Sequence, residues 1–294
     1  MMVKRILRPL IRRLSRAIGD DMVNRLPARH DEPVAQKTLM QHYRMLAALN
    51  PKGLPSMQDV GFRKYSQFEE DGLLLYLFSL IPPINRTCVE ICAGNGEECN
   101  TANLIINHGW WGHLFDGDAT NVQRGVKFFA EHKDTFLYPP RFTHAWITAS
   151  NVNDVVAKSG ARGPIDLLSL DIDGMDYWIW EALTVIDPQI VVCETHNAAP
   201  PDRAVTVPYD PNFVATTPDY RGASLEAINR LARRKGYRLV GTHRFGFNAF
   251  FVKNGVGEAF LPTVDVSACV QDPFSAHARR ERWPGVKDYP WQDV

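Results

Sequence analysis

The sequence predicts an α/β fold: a doubly wound, mostly parallel seven-stranded sheet that ends in an antiparallel hairpin. Two observations predict it. From Cys88 onward, short apolar runs alternate with amphipathic stretches of helical spacing, which is the pattern of βαβ units. The last two apolar runs are joined by a short connection, which favours a hairpin. With 294 residues, 45% of them hydrophobic, the chain can bury the core of one large domain.

The segments before the sheet are predicted to be helical. Apolar residues recur at helical spacing over residues 3–18, where six basic residues precede the first acid, and further helices are predicted over 36–49 and 69–81. The basic helix 3–18 admits two interpretations: it packs on the main domain, or it makes a weak contact with an anionic membrane surface. Packing is favoured, because one short helix binds a membrane only marginally.

Five strand–helix units and the hairpin follow. Strands are predicted over 88–92, 113–116, 142–147, 166–171, 190–194, 237–241 and 248–253. Helices are predicted over 97–109, 120–131, 152–158, from 176 onward, and over 225–235. The irregular stretch 195–222 has the length of a lid or binding loop. We expect three parts: a helical extension over 1–59, the main domain over 60–254, and a tail over 255–294 packed on that domain.

Composition excludes several classes of function. The formal net charge is zero, so the basic surplus typical of nucleic-acid binders is missing and no nucleic-acid partner is expected. The five cysteines are odd in number and lack paired spacing, which disfavours a disulfide framework or zinc site and favours the cytoplasm. The longest apolar run, residues 73–81, is too short to span a bilayer. Two possibilities stay open: peripheral association with the inner face of the membrane through residues 3–18, and a homo-oligomeric state.

The first motif that carries chemistry is the turn after the first strand, residues 89–98 (VEICAGNGEE). Small residues let the backbone approach a ligand closely, and the start of the following helix offers free N–H groups. A dinucleotide-binding turn needs GxGxxG spacing to hold a pyrophosphate. Here that spacing is absent, and the acids Glu90, Glu97 and Glu98 would repel phosphates. The turn therefore favours a cationic ligand.

This turn resembles motif I of class I S-adenosylmethionine-dependent methyltransferases, with Cys92 where glycine is common, so that a positive φ is not expected there. The chain is most similar to the FkbM-like branch of these enzymes, over about residues 60–255. The segments that carry the resemblance are YSQFEEDG at 65–72, WGHLFDGD at 111–118, DIDGMDYW at 171–178, RKGYRLVG at 234–241 and NAFFV at 248–252.

The resemblance implies S-adenosylmethionine as cofactor and methyl transfer to a hydroxyl of a small molecule, and within the family to that of a sugar or glycoconjugate. It also implies roles for individual residues. Ala93, Gly94 and Gly96 would cradle the methionine part of the cofactor, Glu90 would lie near its amino group, Asp116 (with Asp118 as the rival) would accept the ribose hydroxyls, Trp146 and Ile147 would form the adenine wall, and Gln67 would cap the site.

The second motif is acidic and lies where two strands end. Asp171, Asp173 and Asp176 follow the fourth strand, and residues 194–197 (ETHN) follow the fifth. Three carboxylates in six residues repel one another unless a cation lies among them. Two explanations stay open. One is a Mg²⁺ site made by Asp173, Glu194 and Asn197; the other is that Asp171 and Asp173 face the cofactor's sulfonium and cap the next helix.

His196 is the candidate general base, because an imidazole with a pKa near 6.5 suits proton removal near neutrality. A structural role for this histidine is the alternative. Two other functions also stay open: a nicotinamide-dependent oxidoreductase on a similar fold, and a catalytically silent protein that binds the cofactor or the membrane surface.

Overall fold

The computed structural model describes residues 31–294; the predicted basic helix 3–18 lies outside the described residues. The chain divides into two units, Met1–Thr38 and Leu39–Val294. The proposed boundaries near residues 59 and 254 stay a prediction. Among the described residues, we find no helix with the length and apolar character needed to cross a membrane.

The larger unit is built on one seven-stranded sheet, which confirms the predicted fold class. The strands are β1 (Thr87–Ile91), β2 (Trp111–Asp116), β3 (Arg141–His144), β4 (Gly163–Leu170), β5 (Ile186–Glu194), β7 (Tyr237–Thr242) and β8 (Asn248–Lys253), in the spatial order β3-β2-β1-β4-β5-β8-β7. In this sheet β8 runs antiparallel to β5 and β7, and all the other neighbouring pairs are parallel. A separate two-stranded sheet pairs β6 (Val205–Thr206) with β9 (Gln292–Asp293).

Helices cover both faces of the sheet. They are α1 (Asp31–Leu49), α2 (Glu70–Leu80), α3 (Ala102–His108), α4 (Ala119–Glu131), α5 (Val152–Lys158), α6 (Asp176–Ala182), α7 (Leu225–Arg234), α8 (Val266–Cys269) and α9 (Pro273–Glu281). The central strands β4 and β5 are buried along almost their whole length, as expected for parallel strands that helices cover on both sides. Two apolar clusters, one on each face, form the core.

The topology decides where a ligand can bind. The chain runs from β1 outward to β2 and β3, then returns to β4 on the other side of β1. Open α/β sheets bind ligands at such a switch point, beyond the carboxyl ends of the strands. At that edge β3 ends at His144, before the predicted 147; its last bond to β2 runs from the N–H of Ala145 to the carbonyl of Asp116 at 3.0 Å.

Candidate functional site

A cleft opens at the carboxyl ends of β1, β2 and β4, at the edge where open α/β sheets bind ligands. Its walls come from the strand ends, from the segment after β3, and from a loop that crosses over the opening. Residues that line it include Cys92, Asp116, Trp146, Ile147, Met175, Tyr209, Pro211 and Phe213. Three of the predicted cofactor residues, Asp116, Trp146 and Ile147, are brought together here.

The turn after β1 has a left-handed backbone at three alternate residues. Cys92 has φ +69°, Gly94 +55° and Gly96 +76°. The expectation that Cys92 needs no positive φ is therefore wrong: the sharp exit from the strand imposes this conformation, and the cysteine carries the strain. A Cβ added at Gly94 would meet nothing within 4 Å, whereas one at Gly96 would lie 2.7 Å from the ring of Phe129. Gly94 thus faces open space and Gly96 faces the core.

Asp116, at the end of β2, holds this turn in place. Its Oδ2 accepts the N–H of Gly94 at 2.9 Å, and its Oδ1 accepts the N–H of Asp118 at 2.8 Å and the Nδ2 of Asn121 at 3.2 Å. A carboxylate has about four lone-pair positions, so about one is left for a ligand. Asp118 caps α4 by accepting the N–H of Thr120 at 2.7 Å, and that bond lowers its pKa; Asp118 does not line the cleft.

Glu90 lies inside the protein, beneath the turn. It is buried, and its carboxylate accepts the N–H groups of Asn100 and Thr101, each at 2.9 Å, and the hydroxyl of Thr101 at 2.6 Å. Burial raises its pKa, and these hydrogen bonds act in the opposite direction. The side chain thereby fastens the start of α3 to β1. Ala93 is also buried, and its carbonyl accepts the N–H of Gly96 at 3.0 Å, which closes the turn.

A segment that we call the strap, residues 207–213, crosses the mouth of the cleft. Two indole N–H groups hold it: Trp146 donates to the carbonyl of Pro211 at 2.8 Å, and Trp178 donates to the carbonyl of Val207 at 2.9 Å. Phe213 lies against Gly174, where an added Cβ would come within 2.5 Å of the phenyl ring. Trp146 remains 56% exposed, so one part of its ring faces solvent.

The acidic cluster, defined as Asp171, Asp173, Asp176 and Glu194, lies beside the cleft. Oxygen atoms of Asp171, Asp173 and Glu194 lie within 4.8 Å of one another. The N–H of Asp173 donates to Glu194 Oε2 at 3.1 Å. Asp176 is fully buried and accepts the N–H groups of Ile172 and Gly174 at 3.0 and 3.2 Å. It thereby closes the turn that leads into α6, a role that the sequence interpretation gave to Asp171 and Asp173.

Burial and repulsion between neighbouring carboxylates raise the pKa values of Asp171, Asp176 and Glu194. Desolvation, followed by the charges of Asp176 and Asp173, raises the pKa of Asp171 to about 7. Desolvation raises the pKa of Asp176 to about 6 and that of Glu194 well above its ordinary value. The cluster therefore carries fewer than four negative charges near neutrality.

Arg221 supplies the cation that the acids require. It forms an ion pair with Asp173, and its Nη2 lies 3.4 Å from Glu194 Oε1. The sequence reasoning missed this residue, because it belongs to the irregular loop 195–222, whose register against the sheet no periodicity indicates. The available signal was the requirement for a cation combined with an arginine in a loop predicted to cover that edge.

His196 follows β5 and is 8% exposed. Its Nε2 lies 2.8 Å from the carbonyl of Asp219; since a carbonyl only accepts, Nε2 carries the hydrogen and Nδ1 keeps its lone pair. That Nδ1 is buried and has no hydrogen-bond partner among the described residues. Burial lowers the pKa of His196, so the ring is neutral at pH 7. It borders a narrow recess of about 10 Å³ together with Glu194 and Arg221.

Two predicted residues point elsewhere. Asn197 donates its Nδ2 to the carbonyl of Phe245 at 3.0 Å, and its Oδ1 accepts Arg282 Nη1 at 3.3 Å; the carboxylates that converge are instead Asp171, Asp173 and Glu194. Gln67 is exposed, its carbonyl accepts Arg63 Nη1 at 3.3 Å, and it does not line the cleft.

Comparison with known proteins gives no family model and no curated protein that matches this chain. Among solved structures, a magnesium protoporphyrin IX methyltransferase from Synechocystis is similar at 12% identity and a TM-score of 0.36, over 84% of this chain and 96% of that one. An O-methyltransferase family protein from Burkholderia thailandensis is similar at 13% identity and a TM-score of 0.39, over 77% of this chain and 61% of that one. At these values the likeness concerns the general fold, and function must be argued from the residues of the cleft.

Proposed function

We propose that this protein is an S-adenosylmethionine-dependent O-methyltransferase that acts on a hydroxyl group of a sugar or glycoconjugate. The observation that carries the proposal is the combination, at one switch point, of an open left-handed turn at Gly94, a carboxylate at Asp116 with one free acceptor position, and an apolar cleft bordered by the acidic cluster. The choice of a sugar rests on the family resemblance alone.

The residues of the cleft fit this cofactor better than a dinucleotide. Gly94 leaves room for close approach of the methionine part, and Asp116 can accept one ribose hydroxyl. Trp146 and Ile147 offer an apolar wall for adenine. Carboxylates nearby favour a ligand with an ammonium and a sulfonium and disfavour a pyrophosphate. In this proposal Glu90 acts indirectly, by holding the start of α3, and Asp118 stays the rival ribose ligand.

The cofactor, when bound, supplies the electrophilic methyl group. The chain's own residues then have three tasks. The strap covers the cleft and excludes water. The strand ends align the acceptor oxygen behind the methyl group. His196 removes the hydroxyl proton through Nδ1, the ring nitrogen that keeps its lone pair, while the bond from Nε2 to the carbonyl of Asp219 fixes the ring.

A magnesium ion is the second candidate for activating the hydroxyl. Its ligands would be Asp173 and Glu194 with Asp171, since Asn197 is held by Arg282 and Phe245. Such an ion would compete with Arg221, which already pairs with both Asp173 and Glu194. We therefore favour His196 acting without a metal.

The first test compares ligands by thermal shift. S-adenosylhomocysteine at 100 times its dissociation constant should stabilise the protein by about 2.7 kcal/mol, and NAD should not. Transfer of labelled methyl to a panel of glycans then tests the reaction. Gly94→Val should abolish both, because a side chain there would occupy the open space beside the turn that the proposal gives to the cofactor. Gly109→Val is the matched control: Gly109 also has a positive φ (+67°) and open space around its Cβ, but it ends α3 outside the cleft. Stabilisation by NAD alone would overturn the proposal in favour of an oxidoreductase.

A further inference from the structure

A second cleft lies at the opposite edge of the sheet, at the amino ends of the strands. It is open to solvent and has a volume of about 340 Å³, and we call it the amino-edge pocket. Its lining includes Trp111 at the start of β2, His113 two residues later, Arg141 at the start of β3, and Ser159 and Arg162 from the connection between α5 and β4. None of these residues belongs to the candidate site for methyl transfer.

The pocket is positively charged. Arg141 and Arg162 both line it, and its lining contains no carboxylate. Asp166, on β4, is fully buried and already accepts four backbone N–H groups, from residues 84–87, and the Nε2 of Gln189. Its charge is therefore compensated within the protein, and the two guanidinium groups of the pocket remain unneutralised.

The arginines keep free donors. Arg141 Nη1 donates to the carbonyl of Ser159 at 2.5 Å, which fixes the guanidinium and leaves Nε and Nη2 available. Within residues 31–294, no ion pair or hydrogen bond is found for the side chain of Arg162. A guanidinium fork with unused N–H groups matches the oxygens of a phosphate.

His113 adds a third group that can become cationic. Its Nδ1 lies 3.0 Å from the hydroxyl of Ser159, and that hydroxyl donates to the carbonyl of Val156 at 2.7 Å. The hydroxyl therefore accepts from Nδ1. Burial and then the charge of Arg141 lower the pKa of His113. Gly160 lies between the two side chains: a Cβ there would be 3.6 Å from Arg141 Nη1 and 3.7 Å from His113 Cε1, so glycine leaves the space between them open.

An aromatic wall stands beside these cations. The ring of Trp111 is partly exposed in the pocket, and its centroid lies 4.2 Å from that of Tyr138, which is 70% exposed. Such a surface can stack on a ring while the guanidinium groups hold an anion. We propose that the amino-edge pocket binds a phosphate group, either as inorganic phosphate or as a phosphate monoester whose ring stacks on Trp111.

Isothermal titration calorimetry of the full chain tests this directly, with inorganic phosphate and phenyl phosphate as probes. Both should bind the wild type. Arg162→Gln and Arg141→Gln should each weaken binding about tenfold or more, as loss of a charge-assisted hydrogen bond does. Arg233→Gln, which removes an exposed arginine at the end of α7, is the control and should change nothing. Arg162 is exposed and makes no contact that folding requires, so its variant should keep the melting temperature of the wild type.

The two sources of phosphate are then separable. If phenyl phosphate binds more tightly and Trp111→Ala removes only that difference, the ligand is a monoester; equal affinity indicates inorganic phosphate. Either result supports the site. Absence of binding at millimolar probe, or binding that neither arginine variant weakens, overturns it. The outcome does not depend on methyl transfer, because S-adenosylhomocysteine binding should be the same in all these variants.

Discussion

Replacing Arg221 by methionine should destabilise the protein in a pH-dependent manner. This change keeps an unbranched stem about as long as the aliphatic part of arginine and removes the cation that faces Asp173 and Glu194. Breaking a buried ion pair costs about 3–5 kcal/mol, and an exposed pair contributes about 0–1 kcal/mol. The Arg221 side chain is 32% exposed and that of Glu194 11%, so we expect a loss of about 2–3 kcal/mol at pH 8.

The loss should be smaller at pH 5. Asp171 and Asp176 have folded pKa values raised from 3.8 to about 7 and about 6. A carboxyl group with a raised folded pKa contributes stability that is fully present below 3.8 and is lost as the pH rises through its folded pKa. At pH 5 both groups carry protons in the folded state, less charge is left uncompensated, and the cost of Arg221→Met should fall to about 1 kcal/mol.

Urea denaturation at pH 5 and pH 8, followed by tryptophan fluorescence, measures both values. Adding Glu194→Gln to Arg221→Met should recover about half of the loss at pH 8. Lys127→Met, which removes a cation from an exposed pair with Glu131, is the control and should change stability by less than about 0.5 kcal/mol. An equal loss at both pH values would refute the reasoning, because it would mean that Arg221 stabilises the protein by packing.

The remaining predictions concern binding and turnover. Gly94→Val and Asp116→Ala should each abolish S-adenosylhomocysteine binding measured by calorimetry. The first fills the open space beside the turn, and the second releases the turn and removes a ribose acceptor. Unchanged affinity in both would contradict the cofactor site. His196→Ala should lower turnover by a factor of about 10²–10⁴, whereas the control His277→Ala, at an exposed histidine on α9, should not lower it. A chelator should have no effect on turnover. Full loss of turnover with chelator, followed by recovery with Mg²⁺, would instead favour activation by the metal. Removal of residues 1–20 should leave methylation of a soluble acceptor nearly unchanged, because the motifs all lie beyond residue 60, and a folded, cofactor-binding but inactive truncation would show the opposite.

The order of the strands and helices could be predicted because strands that are buried in a parallel sheet appear in the sequence as continuous apolar runs. β4 and β5 need apolar residues on both faces. Gly109 and Gly236 come just after α3 and α7, with the positive φ that is common at the C-terminal end of a helix. The predicted start of β5 was four residues late. The strand begins at Ile186 and includes Asp187 and Pro188, two residue types that are rare in strands, so the apolar pattern becomes clear only after them.

The site could be predicted only where its residues belong to regular elements or directly follow them. Asp116 ends β2, and Trp146 and Ile147 come just after the end of β3; the positions of these strand ends follow from the topology, and the cleft contains all three residues. Arg221 comes from a long loop, and Asn197 is held by Arg282 from the segment after α9. Contacts of this kind depend on tertiary packing, and no periodicity or residue spacing in the sequence indicates them. The left-handed backbone of Cys92 could not be predicted either, because it follows only from the geometry of the folded turn.

The strap has a kinetic consequence. Its two indole hydrogen bonds contribute about 1 kcal/mol each, so these bonds alone would leave it open for about 3% of the time. Packing of Phe213 on Gly174 lowers that fraction. A ligand can then enter and leave through the opening of seven residues, on the microsecond to millisecond timescale of loop motions. Trp146 contacts both the strap and the solvent, so its fluorescence should change when the strap opens. Stopped-flow fluorescence can therefore measure how often the strap opens. It can also show whether release of a bound molecule is the slowest step of turnover.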